Sequence, residues 1–270
     1  MPLVDTNWLE KNLKNVKIID CSWHMPQTKR NGFEEYQKQH IENTIFFDLD
    51  KNSKTDTDLP HMLTDIKSWG KIVSNMGIKN EDQIVIYDNS DVISSCRCWY
   101  NFIYFGHNPN LIHILDGGLK KWNNEKKPTT INLTKIKISN YLAAEKKELV
   151  KNKKEINENI SINKFKVIDA RSRERFDGKV AEPRKGLRSG SIKNSFCLPF
   201  SELINEDRTF INKNTILEKF RLTKCELDKN IVFTCGSGVT ASVLALAYSL
   251  IDTKYMPTVY DGSWSEYGKN

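Results

Sequence analysis

Four short segments of this 270-residue chain recur in the same order in its two halves. Lys166–Asp169 (KVID) answers Lys17–Asp20 (KIID), and Ser191–Asn194 (SIKN) answers His40–Asn43 (HIEN). Ile231–Cys235 (IVFTC) answers Ile84–Asp88 (IVIYD), and Val259–Gly262 (VYDG) answers Ile114–Gly117 (ILDG). The spacing between partners stays between 145 and 151 residues. A fixed period of this kind marks a repeated architecture, so the chain is expected to hold two tandem domains of one fold. Short β-branched runs alternate with helical spacings such as Ile66, Trp69, Ile72, Val73 and Met76. That alternation predicts an α/β fold, each domain a mostly parallel sheet flanked by helices. The first domain is expected over 1–124 and the second over 141–270. Between them, Glu125–Asn140 (EKKPTTINLTKIKISN) has the proline, threonine and charge of a linker. Tyr141–Asn159 is expected to open the second domain as a solvated surface helix.

The repeat is not symmetric in chemistry. Ile231–Thr234 reads as a buried strand, and Val239–Leu250 carries apolar residues at helical spacing. Cys235-Gly236-Ser237-Gly238 lies between them, so a thiol stands at a strand end with two glycines leading into a helix. Glycines allow close backbone approach, successive N–H groups can form an anion-binding nest, and the helix N-terminus adds positive partial charge. This setting favours a nucleophilic thiolate. A lone buried cysteine is more often a small hydrophobe; the strand–loop–helix context reverses that preference here. The counterpart of Cys235 in the first half is Asp88, which cannot do thiolate chemistry, so one active site per chain is expected, in the second half. Phosphoryl transfer is disfavoured, because a cysteine-dependent phosphatase would need an arginine where Ala241 stands.

The net charge of +7 comes from lysines spread along the chain, with no arginine-aromatic cluster, so no nucleic-acid partner is expected. A small anionic substrate suits it. Six cysteines, Cys21, Cys96, Cys98, Cys197, Cys225 and Cys235, show neither a disulfide framework nor a zinc-type spacing. Reduced thiols in the cytoplasm are the simplest reading. The segment MPLVDTNWLEKN lacks an apolar core, and the run Val243–Ile251 is too short to span a bilayer, so neither a secretory signal nor a membrane partner is expected.

These features together resemble the two-domain rhodanese-type sulfurtransferases over Leu3–Tyr267. The loop Cys235–Ala241 (CGSGVTA) is similar to the 3-mercaptopyruvate sulfurtransferase branch. Thiosulfate-using rhodaneses typically place arginine and lysine where Gly236 and Ser237 stand. Phe46–Asp50 (FFDLD), His61–Leu63 (HML), Leu115–Trp122 (LDGGLKKW) and Tyr260–Trp264 (YDGSW) agree with the family. The resemblance implies transfer of sulfane sulfur from 3-mercaptopyruvate through a Cys235 persulfide to a thiol acceptor such as thioredoxin or a low-molecular-weight thiol, or to cyanide, with pyruvate released. It implies no metal and no organic cofactor. Gly236, Gly238, Val239 and Thr240 would line the active-site loop, and Arg175 and Arg184 would bind the substrate oxygens. Arg171, Arg173 and Arg188 are expected in surface salt bridges. Asp50, His61 and Ser237 correspond to a proton-relay group; alternatively, His61 is an interface histidine and the loop alone activates Cys235. All five histidines fall in the first half, so an imidazole beside Cys235 would have to come from the first domain. Ile93 replaces an aromatic residue usual in the family's active-site wall. A thiosulfate:cyanide sulfurtransferase and a persulfide carrier without turnover are the alternatives. A monomer is compatible with all of these.

Overall fold

The structure, a computed structural model, describes residues 2–227 and 230–269. The chain divides into two compact units. The first comprises Met1–Thr55, Leu63–Lys146 and Glu206–Thr209; the second comprises Asp56–Met62, Lys147–Asn205 and Phe210–Asn270.

The first unit holds a five-stranded sheet of β1 (Leu3–Val4), β2 (Lys17–Asp20), β3 (Thr44–Phe46), β4 (Ile84–Tyr87) and β5 (Ile112–Leu115), in the order β1-β5-β4-β2-β3. The second holds β6 (Val150–Lys151), β7 (Lys166–Asp169), β8 (Phe196–Cys197), β9 (Ile231–Thr234) and β10 (Val259–Tyr260), in the order β6-β10-β9-β7-β8. Every pairing is parallel, and the second order is the first shifted by five strands. The expected duplicated α/β fold is therefore present. The middle strands β4 and β9 are buried at all four residues, as strands covered on both faces must be. Their β-branched runs suit that place. The helix Val239–Ile251 after β9 is buried on nearly every side, which explains its almost unbroken apolar sequence. Around β7 and β9, Ile156, Phe165, Val167, Ile192, Val232, Tyr260 and Trp264 form one core cluster.

Four expectations are corrected. Residues 125–140 do not form a free tether but lie along the first unit. Thr130 and His40 exchange backbone hydrogen bonds at 2.8 and 3.0 Å, and Thr134 Oγ1 donates to the Thr44 carbonyl at 2.8 Å. The division falls after Lys146 rather than after 140, because Tyr141 is buried in the first unit and stacks on His107. The helix expected in Tyr141–Asn159 runs over Lys153–Ile162, started by a capping box between Asn152 and Glu155. Finally, Asp56–Met62 lies in the first half by sequence but belongs to the second unit.

The two units also differ at matching strand ends. Asp169, closing β7, pairs with Arg171 at 2.7 Å. Asp20, closing β2, has Ser22 at the corresponding place, whose backbone N–H donates at 2.8 Å. Burial pushes the Asp20 carboxyl up to about 7, and the neighbouring Asp88 adds to the rise against the pull of Ser22. The unfolded chain releases this proton near pH 4, roughly the free-residue value. Stability should therefore fall as pH rises from there through about 7, and stay reduced above it. Asp20→Asn is expected to melt higher than the wild type at about pH 8 and to flatten the decline from about pH 5. Thermal melts at both pH values check this; an unchanged slope would mean that Asp20 is not the group responsible.

Candidate active site

Strand β9 delivers Cys235 to the carboxyl edge of the second sheet, where it is 2% exposed. Gly238 takes φ +79°, a left-handed conformation that turns the chain into the helix Val239–Ile251. The loop carbonyls are held from behind. Trp264 N–H donates to the Cys235 carbonyl at 2.9 Å, and Ser265 N–H donates to that of Gly236 at 2.9 Å. Ser265 Oγ donates to the Gly236 carbonyl as well, at 2.6 Å. Among the described residues, the N–H groups of Gly236, Ser237, Gly238, Val239 and Thr240 donate to no protein atom. Five unpaired donors at the start of a 13-residue helix make a site for an anion.

The backbone N–H of Cys235 itself donates to Ser263 Oγ at 3.3 Å, and that hydroxyl donates to the Tyr260 carbonyl at 2.9 Å. Ser263 is fully buried and sits at φ +49°. Its repeat counterpart is Gly118, at φ +54°. A serine thus occupies a conformation suited to glycine, in the unit that carries the cysteine.

Two guanidinium groups reach the loop. A Cβ built on Gly236 would lie 3.3 Å from Arg175 Nη2 and 3.4 Å from Arg184 Nη1, so glycine leaves room for both arginine tips. Arg184 Nη2 donates to Ser237 Oγ at 3.3 Å, and His61 Nδ1 lies 2.9 Å from the same oxygen. Arginine can only donate, which leaves the Ser237 proton available to the imidazole. His61 is 4% exposed and sits at φ +60°. The segment that carries it is part of the second unit, so the imidazole beside the loop does not come from the first, as its place in the sequence suggests.

Of the residues singled out from the sequence, the structure gathers Cys235, Gly236, Ser237, Gly238, Val239, Thr240, Arg175, Arg184 and His61 around one loop of the second unit. Asp50 belongs to the first unit, where its carboxylate accepts the Trp23 indole N–H at 3.0 Å. Asp88 follows β4 as Cys235 follows β9. Its carbonyl takes Leu119 N–H at 3.1 Å, the counterpart of the Trp264 bond, and its carboxylate accepts from Ser95 Oγ at 2.6 Å and Ser90 N–H at 3.0 Å. Ile93, also in the first unit, is buried and takes φ +50°, rare for a β-branched residue.

Arg171 corrects the expectation of a surface salt bridge. Its side chain is 0% exposed and pairs with Asp169 at 2.7 Å and Glu182 at 2.8 Å. It also stacks over the Trp264 ring at 4.3 Å. Arg173 does bridge to Glu202 at the surface, and Arg188 stacks on Trp264 and Tyr267. Sequence reasoning missed Glu182, whose buried carboxylate also binds Arg175 Nε at 3.1 Å and Nη2 at 2.6 Å. The available signal was its position, two residues before Arg184 and seven after Arg175. Among the described residues no group of three or more metal-ligating side chains comes together, and no helix is long and apolar enough to cross a membrane.

Residues 5–125 and 152–270 each match the family model of the rhodanese-like domain. The chain belongs to the rhodanese-like family. It is 35% identical to the mitochondrial thiosulfate/3-mercaptopyruvate sulfurtransferase 1 of Arabidopsis thaliana, over 98% of this chain and 76% of that protein. It is 33% identical to the 3-mercaptopyruvate sulfurtransferase of Mus musculus, over 98% and 91%. Among solved structures, SseA from Escherichia coli, described as a 3-mercaptopyruvate sulfotransferase with the rhodanese fold, superposes with a TM-score of 0.88 at 29% identity, covering 98% of this chain and all of that one. The Tum1 protein of Saccharomyces cerevisiae gives 0.89 at 26%, covering 99% and 94%. Both rhodanese-like halves foreseen from the repeat are thus present.

The two loop glycines should respond differently to a side chain. Gly238→Ala places a Cβ at positive φ and is expected to cost about 1 kcal/mol or more of stability. Gly236 lies outside that region, and an added Cβ meets only the ends of two arginine side chains, at 3.3 and 3.4 Å. Gly236→Ala is therefore expected to fold nearly as stably as the wild type. Urea denaturation of both variants checks the contrast; equal losses would contradict it.

Proposed function

We propose that this protein is a sulfurtransferase that takes sulfur from 3-mercaptopyruvate onto Cys235 and passes it to a thiol. The observation that carries this reading is the convergence, on the loop that follows one buried cysteine, of five unpaired N–H groups and two guanidinium groups. A buried array of donors without a protein acceptor suits an anionic sulfur species. The planar forks of Arg175 and Arg184 suit the carboxylate and ketone oxygens of the donor.

The thiolate of Cys235 attacks the donor sulfur, forming the S–S bond as the carbon–sulfur bond breaks. The electron pair of that bond goes to carbon, giving the enolate of pyruvate. The donor's thiol proton is lost and one proton is delivered to the enolate carbon, so Cys235 persulfide and pyruvate are the products. Ser237 and His61, in contact at 2.9 Å, form a path for that proton. Asp50 is assigned to the same relay by the family resemblance alone. The outer sulfur then leaves to an acceptor thiolate, such as thioredoxin or a low-molecular-weight thiol, and Cys235 is regenerated. Cysteine itself carries the sulfur, so the scheme uses no metal or organic cofactor. The first unit, with Asp88 at the nucleophile position, is read as non-catalytic. Six free thiols suit a reducing compartment such as the cytoplasm. Thiosulfate is the second donor considered, because relatives at similar identity are named for it.

Two variants test this reading. Cys235→Ser is expected to fold and to lose turnover, and mass spectrometry after donor treatment should find one added sulfur on the wild type and none on the variant. Persulfide on Cys197 or Cys225, or no pyruvate released by the wild type, would overturn it. Arg184→Gly removes a charge-assisted contact worth about 1.5–3 kcal/mol, roughly ten- to a hundredfold in kcat/KM. kcat/KM for mercaptopyruvate should fall by that factor; an unchanged value would mark Arg184 as structural.

A further inference from the structure

Arg175 stands at the end of a chain of alternating charges that begins in the interior. Asp169 pairs with Arg171 at 2.7 Å, Arg171 with Glu182 at 2.8 Å, and Glu182 with Arg175 at 2.6 Å. Exposure of these side chains runs from 1% and 0% at Asp169 and Arg171, through 2% at Glu182, to 21% at Arg175. The four formal charges sum to zero. Glu182 takes the Nε and Nη2 edge of the Arg175 fork, and Nη1 makes no hydrogen bond among the described residues. One edge of the guanidinium is thus fixed and its charge balanced, and Nη2, which gives one of its two hydrogens to Glu182, lies beside Gly236 with the other to spare. A buried carboxylate next to a binding arginine lowers the positive potential that an incoming anion meets, without removing the hydrogen bonds that orient it.

We propose that Glu182 sets the charge of the donor this site accepts, holding Arg175 as an oriented but neutralised clamp that favours a singly charged sulfur donor over a doubly charged one. This rests on the sulfurtransferase reading above. Mercaptopyruvate carries one negative charge and thiosulfate two, so each unit of positive potential added beside Cys235 helps thiosulfate more.

Glu182→Gln keeps an oxygen acceptor for the arginines and leaves Arg171 its Asp169 partner, but releases one positive charge at the loop. The experiment measures kcat/KM for both donors on the wild type and this variant, with thermal melts to establish folding. The ratio of thiosulfate to mercaptopyruvate activity is expected to rise about tenfold, the effect of a unit charge at about 5 Å in a partly screened site. The gain should shrink as salt is raised, which loss of a purely structural contact would not produce. An unchanged or lower ratio in the folded variant overturns the proposal. If Glu182→Gln does not fold, Arg175→Gln supplies the test, because it leaves the Glu182 carboxylate facing the donor. Thiosulfate use should then fall more than mercaptopyruvate use, and equal losses overturn the proposal. Wild-type protein that turns over neither donor would overturn the sulfurtransferase reading, and this inference with it.

Discussion

The carbonyls of Cys235 and Gly236 are taken from behind by the N–H groups of Trp264 and Ser265, and the rest of the site follows from that attachment. A peptide unit whose oxygen is fixed on one side must present its N–H on the other. Two such units in succession, followed by the left-handed turn at Gly238, direct the loop donors and the first turn of the helix Val239–Ile251 to one side. The parallel sheet supplies the other half of the constraint. Strand β9 is central, so its end is flanked by β7 and β10, which bring Asp169 and the segment 261–265 to the same edge. Ligand sites at the carboxyl ends of parallel strands are the rule for such sheets.

Much of this was legible in the sequence because the repeat made each segment a check on its partner. The strands β4, β7 and β9 fall where the repeated tetrapeptides put them; in β4 and β9 four buried β-branched or aromatic residues leave little choice of state. The edge strands β6 and β8, two residues each, carry no such signal; their pairing is decided by the neighbours they meet. Residues 125–140 read as a linker from composition, yet backbone groups near His40 and Thr44 needed partners, and this segment provides them. His61 was harder still. Nothing local in the sequence tells that Asp56–Met62 packs with residues more than a hundred positions away. Arg171 was misjudged for a related reason: its burial depends on Asp169, Glu182 and Trp264 arriving from three separate stretches.

The comparison of the two units separates what the fold needs from what the chemistry needs. Both keep the same strand order, an acidic residue at the end of the second strand, and a backbone bond to the residue after the fourth. Only the second surrounds its acidic residue with arginines. In the first, Ser22 stands for Arg171 and Asp88 for Cys235, and serine hydroxyls and backbone N–H groups do the solvating. A network of two arginines and two carboxylates therefore occurs together with the thiol, and the first unit keeps the same hydrogen-bonded frame without either.

Ser263 binds the Cys235 N–H across a separation of 28 residues. This has a bearing on synthesis. As the chain grows, the cysteine leaves the ribosome well before the residues that hold its loop. Until Ser263, Trp264 and Ser265 emerge, the loop carbonyls have only water for partners and the inward donor array has no reason to form. The thiol is thus an ordinary cysteine for the interval in which it is most accessible, and the environment that would make it reactive assembles only when the last strand and its helix close over the sheet.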